Sequence, residues 1–420
     1  MRLLIATTVL LTGITTSALA EDPLVGADAR IEKHRKANLV VTVVDRNGTP
    51  VPGARVSVEQ INHAFLFGCN IFRLHKYEGK QQETYGREFA ALLNYATLPF
   101  YWNGYEPKPG EKQRDDRMRM ARWCRDHGIA TKGHPLVWHN GWPKWGPMDP
   151  DVTREAEKAR VTEIVSQFKG LIDRWDVVNE ANNPPKDGPN GVGNWTNRDG
   201  PAKVVGEALD WAREANPDAV LLYNDFKLGP EFERLVGDLI AANKPLDAVG
   251  IQSHMHAGEW SLEKVWSVCE TYSKFGKPIH FTETTVLSGD HGKNKKPPWP
   301  TTPEGEARQA DYVEKLYTLL FSHPAVQAIT WWDFMDGGWQ GAPAGLVRAD
   351  LTPKPVYDRL MKLVKGKWWT KVTLVTDLQG RAFIRAFLGD YKVTITTPSG
   401  RTTQVFQIKP GQDELTVKVE

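Results

Sequence analysis

The chain has 420 residues, 40% of them hydrophobic, with 53 basic side chains against 51 acidic ones for a formal charge of +2. So even a balance provides no field to hold nucleic acid or an anionic membrane, which excludes both as expected partners. The three cysteines, Cys69, Cys124 and Cys269, are odd in number and far apart, so buried free thiols are expected, with a single bridge as the alternative.

Residues 1–20 combine Arg2, an apolar run from Leu3 to Leu11 and the small-residue site Ala18-Leu-Ala20, the pattern of a secretory signal. That run is too short to span a bilayer, so a soluble protein, secreted or periplasmic, is expected. Leu39 to Ile61 alternates and breaks at Asn47-Gly48, which predicts a hairpin. Eight short apolar stretches then recur: Phe65–Phe72, Tyr95–Trp102, Ile129–Trp138, Ile172–Ala181, Ala219–Phe226, Leu246–Met255, Lys277–Val286 and Val326–Asp336. Between them, helical spacing is evident in 153–171, Val204–Ala215, Phe232–Ala242 and Tyr312–Phe321. Near-continuous hydrophobicity suits parallel strands covered on both faces, so the fold class is α/β, a (β/α)8 barrel over residues 63–366. Residues 367–420 alternate again, through Lys371–Val375, Phe383–Phe387 and Tyr391–Ile395. Neither terminal segment is long enough to be stable alone, so 38–62 and 367–420 are expected to pack together as one small β-sandwich.

Two glutamates stand where an apolar strand runs out into a loop: Glu180 in Trp175-Asp-Val-Val-Asn-Glu-Ala181 and Glu283 in His280-Phe-Thr-Glu-Thr284. In a barrel of this class, chemistry collects at the carboxyl ends of the strands. A pair of carboxyl groups about 5 Å apart, one protonated and one ionised, is what glycoside hydrolysis with retention requires. Asn179, next to Glu180, is placed to hold a sugar hydroxyl. The bland alternative for either glutamate is a strand-end salt bridge. The 16 tryptophans fit a packed core or a cleft lined with indole faces for sugar rings, and composition does not choose between them.

Taken in order, Gly133-His-Pro-Leu-Val-Trp-His139, Trp175 to Ala181, Tyr223-Asn-Asp225, Gly250-Ile-Gln-Ser-His254, Thr282-Glu283, Trp332 and Leu351-Thr-Pro-Lys-Pro355 resemble glycoside hydrolase family 10, the retaining endo-β-1,4-xylanases. The resemblance covers roughly residues 65 to 365. It implies that Glu180 is the general acid/base and Glu283 the nucleophile. It also implies that His134, Trp138, Asn179, Gln252, His254 and Trp332 surround the sugar. Trp339, three residues after Asp336 in a glycine-rich loop, reads as an aromatic lid. Core packing of Trp138 and Trp332 and a satisfied interior His254 are the competing readings.

No organic cofactor is implied, because water and two carboxyl groups suffice. His134, His139, His254 and His256 are spaced awkwardly for shared ligation, so no metal is expected. Lys293, Lys295 and Lys296 follow the Glu283 strand in a loop read either as a solvated run or as a contact for an acidic sugar.

The second strand departs from the family pattern. Where the family carries a Glu, an Asn and a Lys for the sugar one unit from the cut, Thr97-Leu-Pro-Phe-Tyr-Trp102 stands here. Gly141 and Thr285 replace a Gln and an Asp, the latter the usual partner of the histidine matching His254. Losing several hydrogen bonds of about 1 kcal/mol each weakens that subsite and points to an unusual or decorated glycan. The expectation is a monomeric secreted hydrolase cutting β-1,4-xylosidic bonds in xylan or a related plant polysaccharide. The alternatives are a retaining hydrolase of another β-glycan or acidic heteropolysaccharide, or a carbohydrate-binding protein without turnover.

Overall fold

A computed structural model describes residues 22–185, 190–289 and 299–420. The segment read as a secretory signal and the lysine-bearing loop with Lys293, Lys295 and Lys296 lie outside the described residues. Eight parallel strands close into a barrel: β1 (Leu66–Asn70), β2 (Tyr95–Pro99), β3 (Ala130–His134), β4 (Arg174–Asn179), β5 (Val220–Asp225), β6 (Ala248–His254), β7 (Ile279–Thr285) and β8 (Val326–Trp331). The barrel is closed by β8 pairing with both β7 and β1. Every stretch marked as a strand in the sequence contains one, shortened at its ends where the chain turns into a loop.

The helices begin earlier than apolar spacing indicates, by two or three residues at Pro150, Pro201 and Pro230 and by nine at Pro303. A first turn is solvated and carries no apolar period, so its signals are a proline that needs no N–H partner and a capping side chain. Asp149 caps its helix by accepting from the N–H groups of Asp151 and Val152, and Thr302 caps another by accepting from Gly305 N–H.

Inside the barrel, the indole of Trp175 on β4 lies against Gly133 on β3. A Cβ built on Gly133 would sit 2.0 Å from the Trp175 ring, and both residues are buried. Neither strand can retreat without breaking the barrel, so Gly133→Ala should cost about 3 kcal/mol or more, as severe overpacking does. A fall in the denaturant midpoint would register it; an unchanged midpoint would show that the indole has room to move.

The terminal segments form two facing sheets. Lys36–Val44 runs between Arg381–Phe387 and Glu414–Lys418, while Arg55–His63 runs between Lys371–Val375 and Gly389–Thr397, with Gly400–Ile408 at the edge. The hairpin expected across Asn47-Gly48 is therefore corrected. Its two strands belong to opposite sheets; around Asn47-Gly48 the chain pairs with itself only locally, through the Val44–Pro50 bridge and the Val51 N–H to Val43 carbonyl bond, before the second strand begins at Arg55. The Asp45 carboxylate accepts from the N–H groups of Asn47 and Thr49, turning the chain locally before Pro50 and Pro52 carry it across. Leu39, Val41 and Val43 from one sheet then bury against Val56 and Val58 from the other. Alternation marks the residues of a strand that share a face; it does not encode the pairing partner.

Cys69, Cys124 and Cys269 are free and buried, on β1 and on two different helices.

Candidate active site

Glu180 is the first residue after β4, and Glu283 lies within the last turn of alternation of β7. The Glu180 backbone is left-handed, with φ at 58°, and its N–H donates to the Asn224 carbonyl on β5 at 2.9 Å. Such a conformation costs a non-glycine residue about 1–2 kcal/mol and turns the carboxyl inward over the barrel mouth.

Amide groups link the two carboxyl groups. Gln252 Nε2 donates to Glu180 Oε1 at 2.9 Å and to Asn179 Oδ1 at 3.1 Å. Asn224 Nδ2 donates to that same Asn179 Oδ1 and to Glu283 Oε1, each at 2.8 Å. Trp138 Nε1 donates to Glu180 Oε2 at 3.1 Å. Four strands thus hold two acids in one hydrogen-bonded frame.

The surroundings drive the two acids apart in proton affinity. Burial raises Glu180 above the ordinary carboxyl value, and the nearby Glu283 charge adds to the rise against the hydrogen bonds from Gln252 and Trp138. Burial would raise Glu283 as well, but the charge of His134 and the hydrogen bond from His254 outweigh it and hold Glu283 below its ordinary value. His254 Nε2 lies 3.0 Å from Glu283 Oε2, and His134 Nε2 lies 3.7 Å from Oε1. Behind them, Asp176 accepts from His134 Nδ1 at 2.8 Å and pairs with the buried Lys132 at 2.6 Å. Two carboxyl groups with opposed shifts are the signature of an acid and a base sharing one reaction.

His134, Trp138, Asn179, Gln252, His254 and Trp332 all meet around these acids. His134 and His254 touch Glu283 directly. Trp332 packs edge-on to His134 at 5.2 Å and to Phe72 at 5.2 Å, forming one wall. Trp339 stacks on His254 with ring centres 4.7 Å apart and planes 8° from parallel, so it covers that imidazole. Thr285 is a neutral partner for His254: its hydroxyl donates to the Trp332 carbonyl at 2.8 Å and faces His254 Nδ1 at 2.8 Å. His139 is buried apart from the acids, with its carbonyl accepting from Asn190, and the described residues contain no group of three or more side chains arranged for a metal.

At the divergent second strand, Thr97 and Leu98 are fully buried in the barrel and present nothing to a substrate. Tyr101 instead fills the wall, 5.4 Å edge-on from His134 and 5.5 Å from Trp138, with Phe72 at 5.9 Å. An aromatic corner therefore stands where hydrogen-bonding groups would be expected.

Sequence reasoning missed three participants. Asn224 lies in a quoted motif, yet its role as the bridge between the acids depends on which strands are neighbours. Asp176 was visible only as the residue after Trp175. Asp333, beside Trp332, is buried, accepts from Asn70 Nδ2, and is pushed up to about 6 by burial against that hydrogen bond. No local pattern signals it, because Gly338 in the following loop closes over its carboxyl group.

Residues 59–363 match the family described as Glycosyl hydrolase family 10. The endo-1,4-beta-xylanase B of Thermotoga neapolitana is 28% identical over 355 residues, covering 78% of this chain and 96% of that protein. The anti-sigma-I factor RsgI6 of Acetivibrio thermocellus is 29% identical over 402 residues, covering 93% of this chain; the chain spans only 49% of that relative. Among solved structures, a GH10 protein from Paenibacillus barcinonensis superposes with a TM-score of 0.62 at 23% identity, covering 73% of this chain and 95% of that one. Xylanase 10B from Thermotoga petrophila, solved with xylobiose, gives 0.60 at 24% identity, with 72% and 95% covered.

Proposed function

The chain belongs to glycosyl hydrolase family 10, and on that premise we propose that it hydrolyses β-1,4 bonds of xylan or a related plant polysaccharide with retention. The observation that carries the reading is the opposed pair of Glu180 and Glu283 within one amide frame. Glu283, held ionised by His134 and His254, attacks the anomeric carbon. Glu180, protonated, gives its proton to the departing glycosidic oxygen as the carbon–oxygen bond breaks. The resulting glycosyl ester on Glu283 is then attacked by water. Glu180, now ionised, takes the water's proton, and Glu283 leaves as a carboxylate. Two inversions give net retention.

Reducing-sugar release from a panel of xylan, glucuronoxylan, β-glucan and mannan tests the reading, with xylan expected to give products. Binding to every member without products would overturn it. The aromatic corner of Tyr101, Phe72 and Trp332 favours a second reading at the level of substrate: a decorated glycan, or one of another β-linkage, that this wall accommodates better than plain xylan.

The opposed shifts of the two acids lead to an expected pH profile. Turnover needs Glu180 protonated, so it falls as pH rises through a value above the ordinary carboxyl range. It also needs Glu283 ionised, so it falls as pH drops through a value below that range. A bell wider than two unperturbed carboxyl groups allow is expected in kcat/KM. An alkaline limb at the ordinary carboxyl value would contradict the assignment of Glu180.

A further inference from the structure

At the opposite end of the barrel from the acids, a cavity of about 280 Å³ lies where the sandwich meets the amino ends of the strands. It is lined by Arg35 from the N-terminal helix, Arg174 on β4, His280 on β7, Gln327 on β8 and His63 and Leu388 from the sandwich side, with no carboxylate among its lining residues. Arg35 is buried, and its guanidinium donates only to backbone carbonyls, those of Phe321, His323 and Val326 at 2.6–2.7 Å. The Arg174 guanidinium has no hydrogen-bonded or ionic partner among the described residues. His280 is 2% exposed, and its Nδ1 is buried without a partner. His63 does not share this condition, because its ring nitrogens face Gln60 Nε2 and the Val364 carbonyl.

Two guanidinium groups and a buried neutral imidazole thus converge on a cavity that no carboxylate lines, with Asp176 behind His280 as the counter-charge that reaches it. A cationic cavity of this kind is completed by an anion, since charge held away from water is costly unless paired. From this cluster we infer that the cavity is a binding site for a small oxyanion of the inorganic phosphate class, which clamps the sandwich to the floor of the barrel. The planar fork of Arg174 matches two oxygens of such a ligand, His280 supplies a further donor, and Arg35 supplies fixed charge. Burial depresses Arg35 to about 10 and His280 to about 3; in the latter the Lys132 and Arg174 charges add to the effect, against Asp176 and a hydrogen bond with Gln327. The site is remote from Glu180 and Glu283, so it bears on stability rather than turnover.

Calorimetry of the full chain in phosphate titrated against chloride at constant ionic strength tests this. A saturable rise in the unfolding midpoint of about 1–3 °C is expected at tenfold saturation by phosphate, together with broadening of the phosphorus resonance. Arg174→Gln should abolish the rise, and so should Gln327→Glu, which sets a carboxylate at the partly exposed mouth. Both variants should keep wild-type hydrolysis. No rise beyond that in chloride, or the same rise in a folded variant, would overturn the assignment. Should one variant fail to fold, the wild-type titration and the other variant still decide it.

Discussion

Glu283→Ala is expected to lose about 10⁴-fold or more in turnover of any glycan, activated or not. The loss corresponds to at least about 5.5 kcal/mol of transition-state stabilisation. The reason is that Glu283 forms the covalent bond itself, so no choice of leaving group compensates for its absence. His134 and His254 would remain aimed at an empty place, one that a small anion could enter. Added azide should therefore restore some cleavage through a single displacement, giving a glycosyl azide of inverted configuration. Product analysis by proton magnetic resonance reads this outcome. Substantial turnover without azide, or azide product of retained configuration, would show that another group is the nucleophile. Unchanged binding of oligosaccharide would confirm that the cleft is intact.

Glu180→Ala should behave differently, and the difference separates the two roles. On unactivated glycans, the loss should reach about 10²–10⁴-fold, the usual contribution of a positioned general acid. On an aryl glycoside whose leaving group needs no proton, the first step should survive while the second, now lacking its base, stalls. A burst of the phenol followed by slow release is expected, and mass spectrometry should detect the glycosyl ester on Glu283. Azide should rescue this variant with retained configuration, because it attacks the ester after one inversion has already occurred. Equal losses on both substrates, with no burst, would remove Glu180 from the acid/base role.

The legible parts of this molecule are those that repeat a physical rule locally. Barrel strands such as Leu246–Met255 announce themselves because both faces are buried and the apolar run is nearly unbroken. Glu180 and Glu283 were readable because each ends or nearly ends such a run, where barrel chemistry collects. Relations between distant residues were hidden. Asn224 bridges the acids only because β5 lies beside β4, and Asp333 is enclosed by a glycine five residues further on. The assignment of Lys36–Val44 and Arg55–His63 to different sheets depends on strands more than 300 residues away. The cationic cavity beneath the barrel is less legible still, since its residues run from Arg35 to Leu388.

The manner in which the two terminal segments interleave dictates an order of events during synthesis. Lys36–Val44 and Arg55–His63 leave the ribosome before the barrel, yet every strand that flanks them in their sheets lies beyond residue 370. At the pace of translation, they must wait, unpaired and rich in valine, until the strands beyond residue 370 have emerged. The barrel can close beforehand, but this module cannot, so it joins the structure as its final and slowest step. A nascent chain stalled before residue 370 would therefore present a finished catalytic bowl trailing two sticky, unsatisfied ribbons, the stage at which a chaperone has most to grip.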